Sequence, residues 1–269
     1  MRTLAQVGLA DVQAVYSGAE GDLWELIMGQ QIHIGGFASS MDLCAKAGIA
    51  GKGGKGVDLC CCNGAGMRFL LHFCGLDHMT GVDATPHVLE RAQKRCSADQ
   101  LQEKTALVEA DVCATELPDA SMDLVWGEDA WVYVEDKKAL IREAARLLKP
   151  GAAIAFTDWV EGPEPLTADE AERFMRFMKF PTLASLDDYR DLLQAEGLQV
   201  QHAANTGRYA PCIDLYLRML SEQLTFDALH IIGYDQELMQ SLGAEMQFIK
   251  QLADANKIIQ GLYVARKPS

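Results

Sequence analysis

The spacing of apolar residues switches repeatedly between two periods from residue 57 to the end of the chain. Short apolar runs predict strands, and the stretches between them have the period of helices. Alternation of this kind predicts a mostly parallel sheet with helices on both faces. The seven predicted strands lie near 57–61, 79–83, 106–110, 122–127, 152–158, 198–204 and 258–265.

Polar residues at fixed offsets predict where several helices begin. The pair Thr85-Pro86 predicts a helix start, because proline suits the first helical position. Thr167 to Glu170 and Ser185 to Asp188 have the spacing of capping boxes. They predict helices near 168–178 and 186–196.

Two segments, one before this alternating region and one within it, have a different pattern. We interpret residues 1–269 as a single domain in which residues 57–160 form the core. Residues 1–50 carry helical patterns and are expected to cap the core. The insertion 205–255 predicts two or three helices between the last two strands. It is either a lid over a substrate or the surface through which two copies pair as a homodimer.

Charge and composition exclude several kinds of partner. The formal net charge is −14, the pI is about 4.8 and no run of Lys or Arg exceeds two residues, which argues against nucleic acid and anionic membranes. No apolar stretch reaches the roughly 20 residues that span a bilayer, and no signal region is visible, so a cytoplasmic location is expected. The eight cysteines suit a reducing compartment. They form no ligand set with histidine, so no metal is expected.

The first predicted strand runs into a glycine-bearing turn, and acidic residues follow each of the next strands. Gly64 and Gly66 let the backbone approach a ligand. Asp83, Asp111 and the pair Glu128-Asp129 come at the ends of strands two to four. So many carboxylates would repel the pyrophosphate of a dinucleotide, although a nicotinamide cofactor remains an alternative. They suit the sulfonium and ammonium groups of S-adenosylmethionine.

Four segments stand in the order and spacing of a known family. Asp58 to Gly66, Val82-Asp83, Ala110-Asp111 and Leu147 to Gly151 resemble the class I S-adenosylmethionine-dependent methyltransferases. The first turn of that family usually reads Asp-Leu-Gly-Cys-Gly-Thr-Gly, whereas cysteines 60 and 62 occupy two of the glycine positions here. A Cβ at either place is expected to narrow the approach of the cofactor or to shift the turn.

Two further segments narrow the resemblance. Gly29 to Gly35 is similar to the Gly-Glu-Asp-Ile-His-Val-Gly segment of glycine, sarcosine and dimethylglycine N-methyltransferases. Trp126 to Trp131 is similar to their Gln-Asp-Ala-Phe segment. The likeness covers residues 16–160 and returns at 261–268. It implies an α/β fold with a Rossmann-like, doubly wound, seven-stranded sheet whose last strand is antiparallel, an N-terminal helical cap and a helical lid insertion.

The resemblance also implies which residues hold S-adenosylmethionine. Asp83 would bind the ribose hydroxyls, and Asp111 with the backbone of Val112 would bind the adenine. Asp58 would either contact the cofactor or only orient the turn. The implied cofactor residues are Asp58, Asn63, Gly64, Gly66, Asp83, Ala84, Asp111, Val112, Gly127 and Glu128.

Carboxylates and aromatic rings after the fourth strand suggest the acceptor. Such groups bind an ammonium ion, and cation–π attraction contributes about 0.5–2 kcal/mol. The alternative is that these aromatic residues pack in the core and that the acids cap a helix. The resemblance places His33 over the reaction centre. The predicted catalytic residues are His33, Glu128 and Asp129, the predicted substrate-binding residues are Trp131, Tyr133 and Tyr209, and Tyr16 and Trp159 are weaker candidates.

The sequence therefore predicts transfer of a methyl group from S-adenosylmethionine to a small molecule. An amine nitrogen is the favoured acceptor atom. An oxygen or carbon acceptor on a small metabolite is the first alternative. A protein that binds the cofactor without turnover is the second, because of the two cysteines in the turn.

Overall fold

Seven strands form the central sheet of the computed structural model, which describes residues 1–269. The strands of the chain are β1 (Arg2–Thr3), β2 (Lys55–Leu59), β3 (His78–Asp83), β4 (Thr105–Glu109), β5 (Met122–Glu128), β6 (Leu148–Glu161), β7 (Thr182–Leu183), β8 (Gln199–Asn205) and β9 (Ile258–Arg266). The sheet has the order β4-β3-β2-β5-β6-β9-β8, and β9 is antiparallel to both of its neighbours. The predicted doubly wound fold with an antiparallel last strand is confirmed.

Eleven α-helices surround the sheet. They are α1 (Leu9–Tyr16), α2 (Ala19–Met28), α3 (Gly36–Ala47), α4 (Ala65–Phe69), α5 (Pro86–Ala98), α6 (Lys137–Leu147), α7 (Ala168–Met178), α8 (Leu186–Ala195), α9 (Tyr209–Glu222), α10 (Thr225–Ile231) and α11 (Gln236–Asp254). Both predicted capping boxes form, at Thr167 with Glu170 and at Ser185 with Asp188. Helix α5 begins with proline after Thr85, as predicted. No helix combines the length and the apolar character needed to cross a membrane.

The order of the strands determines where a ligand can enter. Strand β2 lies between β3 and β5, so the chain leaves the sheet in opposite directions on its two sides. In open α/β sheets a crevice forms at this point, at the carboxyl ends of the strands. The glycine-bearing turn after β2 and the acidic ends of β3 and β5 therefore meet at the crevice.

Helix α1 covers this end of the sheet, and α2 packs beside it. Two ion pairs, of Arg91 with Asp22 and of Arg95 with Glu25, hold α2 against α5.

Strand β1 pairs with β7 in a two-stranded sheet that the sequence did not predict, because runs of two residues carry no periodic signal.

The insertion between β8 and β9 contains helices α9, α10 and α11, in agreement with the predicted number. These helices pack with α2 and α7 around Trp24, Phe174, Tyr216 and Ile249. The role of the insertion, as a lid or as a dimer surface, stays a prediction. Cys44 on α3 and Cys74 are joined as a disulfide, and the other six cysteines are free.

Candidate active site

A cavity of about 970 Å³ opens at the carboxyl ends of β2, β3 and β5. Its floor is the turn after β2, and helix α1 together with the segment Gln30 to His33 forms its roof. The predicted cofactor residues that line it are Asp58, Asn63, Gly66, Asp83, Ala84, Asp111, Val112 and Glu128. The structure therefore brings eight of the ten residues together from four separate segments.

The turn after β2 keeps a glycine-like backbone despite its cysteines. Cys60 and Cys62 have φ values of +66° and +47°, in the left-handed region. Each costs about 1–2 kcal/mol, because its Cβ approaches the next carbonyl oxygen. The amides of Cys60 and Cys61 both donate to Val82 O, at 2.9 and 3.1 Å, and hold the turn against β3. The turn therefore carries local strain, while a narrower approach of the cofactor or a shift of the turn stays a prediction.

Gly66 is required by its neighbour Asp58. A Cβ on Gly66 would lie 2.6 Å from Asp58 Oδ2, closer than a carbon and an oxygen can approach. Gly64, in contrast, has a φ of +75° and packs against Ala92 rather than lining the cavity. It shapes the turn, and the predicted contact of Gly64 with the cofactor is corrected accordingly.

Asp83 joins the end of β3 to the turn. Its Oδ2 accepts the N–H of Cys62 at 2.9 Å, and its Oδ1 accepts the N–H of Thr85 at 2.9 Å. Burial raises the pKa of Asp83, although these hydrogen bonds oppose the shift. Next to it, Ala84 O accepts a hydrogen bond from Gln13 on α1 at 2.6 Å. The roof of the cavity is therefore fixed to the strand end that carries Asp83.

Asp58 is a carboxylate without a partner. It is 4% exposed and forms no ion pair or side-chain hydrogen bond, yet it lines the cavity. Burial, together with the negative charges of Glu128 and Asp83, raises its pKa well above the usual aspartate range. A buried carboxylate in this state is stabilised when a cation binds beside it.

Glu128 belongs to a small buried network. Ser40 Oγ donates to Glu128 Oε1 at 2.9 Å, and Trp126 Nε1 donates to Oε2 at 3.0 Å. His33 Nε2 lies 3.2 Å from Ser40 Oγ and 3.4 Å from Glu128 Oε1. Since Ser40 gives its proton to Glu128, its oxygen accepts one from His33, so Nε2 is protonated. Burial raises the pKa of Glu128, and His33 limits the shift.

Two tyrosines lie at the roof of the cavity. The hydroxyls of Tyr16 and Tyr133 are 3.0 Å apart, and their rings meet edge to face. Burial raises the pKa of both hydroxyls, so both stay protonated. Lys137 donates to the carbonyls of Val132, at 3.1 Å, and Val134, which flank Tyr133. The lysine thereby holds the loop that presents this tyrosine.

Trp131 lies in the core and not in the cavity. Its Nε1 donates to Leu59 O at 3.0 Å, and its ring stacks on Phe156 at 4.2 Å. A Cβ on Gly127 would come within 2.3 Å of Trp131 Nε1, so this glycine makes room for the indole. The predicted contacts of Trp131 with substrate and of Gly127 with the cofactor are both corrected.

Asp129 and Tyr209 are likewise engaged in packing. Asp129 lines the cavity, but its carboxylate accepts the N–H of Ile34 at 2.7 Å and the Nε2 of Gln260 at 2.9 Å. It joins three segments of the chain, and its predicted catalytic role stays a prediction. Tyr209 is buried, lies outside the cavity and meets Trp159 edge to face at 5.0 Å. It does not reach a substrate in that cavity.

The sequence missed two features of this site. Ser40 gave no signal because a serine among small helical residues is common, and its partner Glu128 is 88 residues away. Lys137 was missed because a lysine at a helix start is usually exposed. Neither interaction follows from the local pattern. No group of three His, Cys, Asp or Glu side chains is arranged to hold a metal ion.

Comparisons with known proteins show that the chain is similar to methyltransferases. A family profile described as a methyltransferase domain matches residues 57–156. The chain is 33% identical over 134 residues to 27-O-demethylrifamycin SV methyltransferase of Amycolatopsis mediterranei, covering 49% of each chain. It is 29% identical over 192 residues to dimethylglycine N-methyltransferase of Parasynechococcus marenigrum, covering 64% of this chain and 65% of that one. The chain thus spans about half to two thirds of these relatives.

Among solved structures, a phosphoethanolamine N-methyltransferase 2 of Haemonchus contortus has the same fold. That protein was solved with phosphomonomethylethanolamine and S-adenosylhomocysteine. The TM-score is 0.84 at 20% identity, covering 96% of this chain and 59% of that one. The domain match and the relatives support a class I methyltransferase, a family that takes S-adenosylmethionine as its methyl donor, and the solved structure shares the fold of this chain.

Proposed function

We propose that this protein transfers a methyl group from S-adenosylmethionine to the amine nitrogen of a small molecule. The observation that carries the proposal is the group of buried carboxylates around the cavity. Burial raises the pKa values of Asp58, Asp83 and Glu128, and no lysine or arginine forms an ion pair with any of the three; the one such contact is that of Glu128 with His33. Burying carboxylates without cations is costly. A cationic donor and an amine acceptor both supply the missing positive charge.

The residues present fit the donor. Gly66 leaves the space beside Asp58 free of a Cβ, and the unpartnered Asp58 carboxylate suits an ammonium group there. Asp83 uses one lone pair of each oxygen for backbone amides and keeps others for ribose hydroxyls. When bound, S-adenosylmethionine supplies a methyl group that is activated by a positively charged sulfur.

The side chains of the cavity can bind, orient and deprotonate an amine. Methyl transfer requires a neutral nitrogen whose lone pair is aligned with the methyl carbon at about 3 Å. Glu128 suits removal of the proton, because its raised pKa brings it closer to that of an ammonium ion than an ordinary carboxylate. His33 and Ser40 hold Glu128 in place. Tyr16 and Tyr133 offer hydroxyls and aromatic surface at the same cavity.

The relatives support two acceptor chemistries. The names of the dimethylglycine and phosphoethanolamine N-methyltransferases agree with an amine acceptor. The name of the rifamycin relative, which is the more similar in sequence, agrees with a hydroxyl oxygen. A hydroxyl acceptor on an apolar metabolite is therefore the second candidate. Apolar residues at the cavity, such as Leu9, Val12 and Leu192, favour it.

Steady-state kinetics on a panel of acceptors tests the proposal. We expect methylation of one or more of glycine, sarcosine, dimethylglycine, phosphoethanolamine and larger amines, with a rate that rises with pH as the neutral amine fraction grows. Glu128→Gln should lower kcat for the amine by about 10²–10⁴-fold, the usual contribution of a general base. Methylation of phenols or acidic carbons alone would disprove an amine acceptor. Binding of the donor without any turnover would disprove the activity.

Replacing the unpartnered carboxylate should stabilise the ligand-free protein. Because burial raises the pKa of Asp58, stability is fully present below the unfolded aspartate pKa and falls as pH rises through the raised value. At neutral pH we expect Asp58→Asn to increase the free energy of unfolding by about 0.5–2 kcal/mol. The same variant should bind S-adenosylmethionine more weakly. Denaturant unfolding and calorimetry measure the two effects, and a loss of stability without ligand would contradict this role.

A further inference from the structure

A second cavity, of about 570 Å³, lies among the helices of the insertion. Helices α2, α9, α10 and α11 form most of its wall, which is largely apolar. No residue of this wall lines the first cavity. Its volume falls within the roughly 300–1,000 Å³ that is usual for small-molecule sites.

Gly243 is an exposed residue at the wall of this cavity. It lies in the middle of α11, a helix of 19 residues, where glycine costs roughly 0.5–1 kcal/mol relative to alanine. A Cβ at Gly243 would meet no atom within 4 Å, so no neighbour requires glycine there. Because it has no side chain, this residue leaves space free at the wall of the cavity. Trp24 on α2 and Met246 on α11 belong to the same apolar wall.

One carboxylate of the wall lacks a partner. Asp214 lies 3.5 Å from Lys250 and 3.6 Å from Arg218, so these three charges compensate one another. Glu20, at the start of α2, forms no ion pair within 4 Å and no hydrogen bond; burial raises its pKa, and the more distant charge of Lys179 limits the shift. A positively charged group beside Glu20 would therefore be stabilised.

We propose that this second cavity binds a small amphiphile with an apolar body and an ammonium head group. The apolar body packs against Trp24 and Met246, and the head group pairs with Glu20. This site is separate from the methyl-transfer cavity and does not depend on which acceptor that cavity takes.

Titration calorimetry with octylamine, below its micelle concentration, tests the site. We expect saturable binding of one molecule of octylamine per chain and at least tenfold weaker binding of octanoate. Gly243→Leu should weaken the binding of octylamine at least tenfold, because the leucine side chain would occupy part of the cavity. Ala244→Leu adds the same side chain one residue away, outside the cavity wall, and should bind like the wild type.

The head group is tested with a second variant. Glu20→Gln should weaken the binding of octylamine at least tenfold and leave the binding of octanol unchanged. Thermal unfolding should show that Gly243→Leu is folded and no less stable than the wild type. Absence of saturable octylamine binding, or equal binding by the two leucine variants, would overturn the site. An equal effect of Glu20→Gln on octylamine and octanol would overturn the ammonium head group.

Discussion

Asp83→Ala will weaken the binding of S-adenosylhomocysteine by about 1.5–3 kcal/mol, the value of charge-assisted hydrogen bonds to a ribose. Asp83 stands at the carboxyl end of β3, lines the cavity and also holds the amides of Cys62 and Thr85. The substitution therefore removes a ligand contact and loosens the turn that contributes to the floor of the cavity. Titration calorimetry measures the loss.

Asp77 provides the matched control for that experiment. It also accepts a backbone N–H, that of Gly54 at 2.7 Å, but it precedes β3 at the opposite edge of the sheet. Asp77→Ala should leave the affinity for S-adenosylhomocysteine unchanged. If Asp83→Ala also left it unchanged, Asp83 would not bind the ribose.

Trp131→Ala will reduce the free energy of unfolding by about 3–5 kcal/mol, as large-to-small changes at buried aromatic residues do. The indole is 0% exposed, stacks on Phe156 and donates to Leu59 O. Trp131→Phe keeps most of the packing but leaves the Leu59 carbonyl without its donor. The free energy of unfolding should therefore fall less in Trp131→Phe, by about 1–3 kcal/mol.

Denaturant unfolding of the two variants measures this role. The sequence had instead suggested that Trp131 faces an amine substrate. An alanine variant with wild-type stability and a raised KM for the acceptor would support that interpretation against the structure.

The strands of the core could be predicted to within a few residues for a physical reason. Parallel strands buried on both faces must be continuously apolar, so β2, β3 and β5 stand out from the helices between them. The first residues of β6 were not predicted as strand, because Lys149-Pro150-Gly151 has the composition of a loop. In the structure Leu148 nevertheless pairs with Met122.

The site could be predicted only as far as the strand ends. Acidic residues at the carboxyl ends of β3 and β5 had to meet at one edge of the sheet, and Asp83 and Glu128 do. The directions of the next side chains depend on Asp129, whose φ of +54° turns the chain. This conformation is uncommon outside glycine, and no local pattern in the sequence predicts it. Consequently Trp131 points into the core and Tyr133 reaches the cavity.

The two strained cysteines of the turn also change the unfolded chain. Glycine at either position would adopt the left-handed conformation without strain, but it would also give the unfolded chain more conformations to lose. A residue with a Cβ reduces that conformational entropy, by an amount worth about 0.4–1 kcal/mol per position. This gain offsets part of the strain at Cys60 and Cys62. The denatured ensemble thus helps to explain how the turn keeps its shape with two glycines fewer.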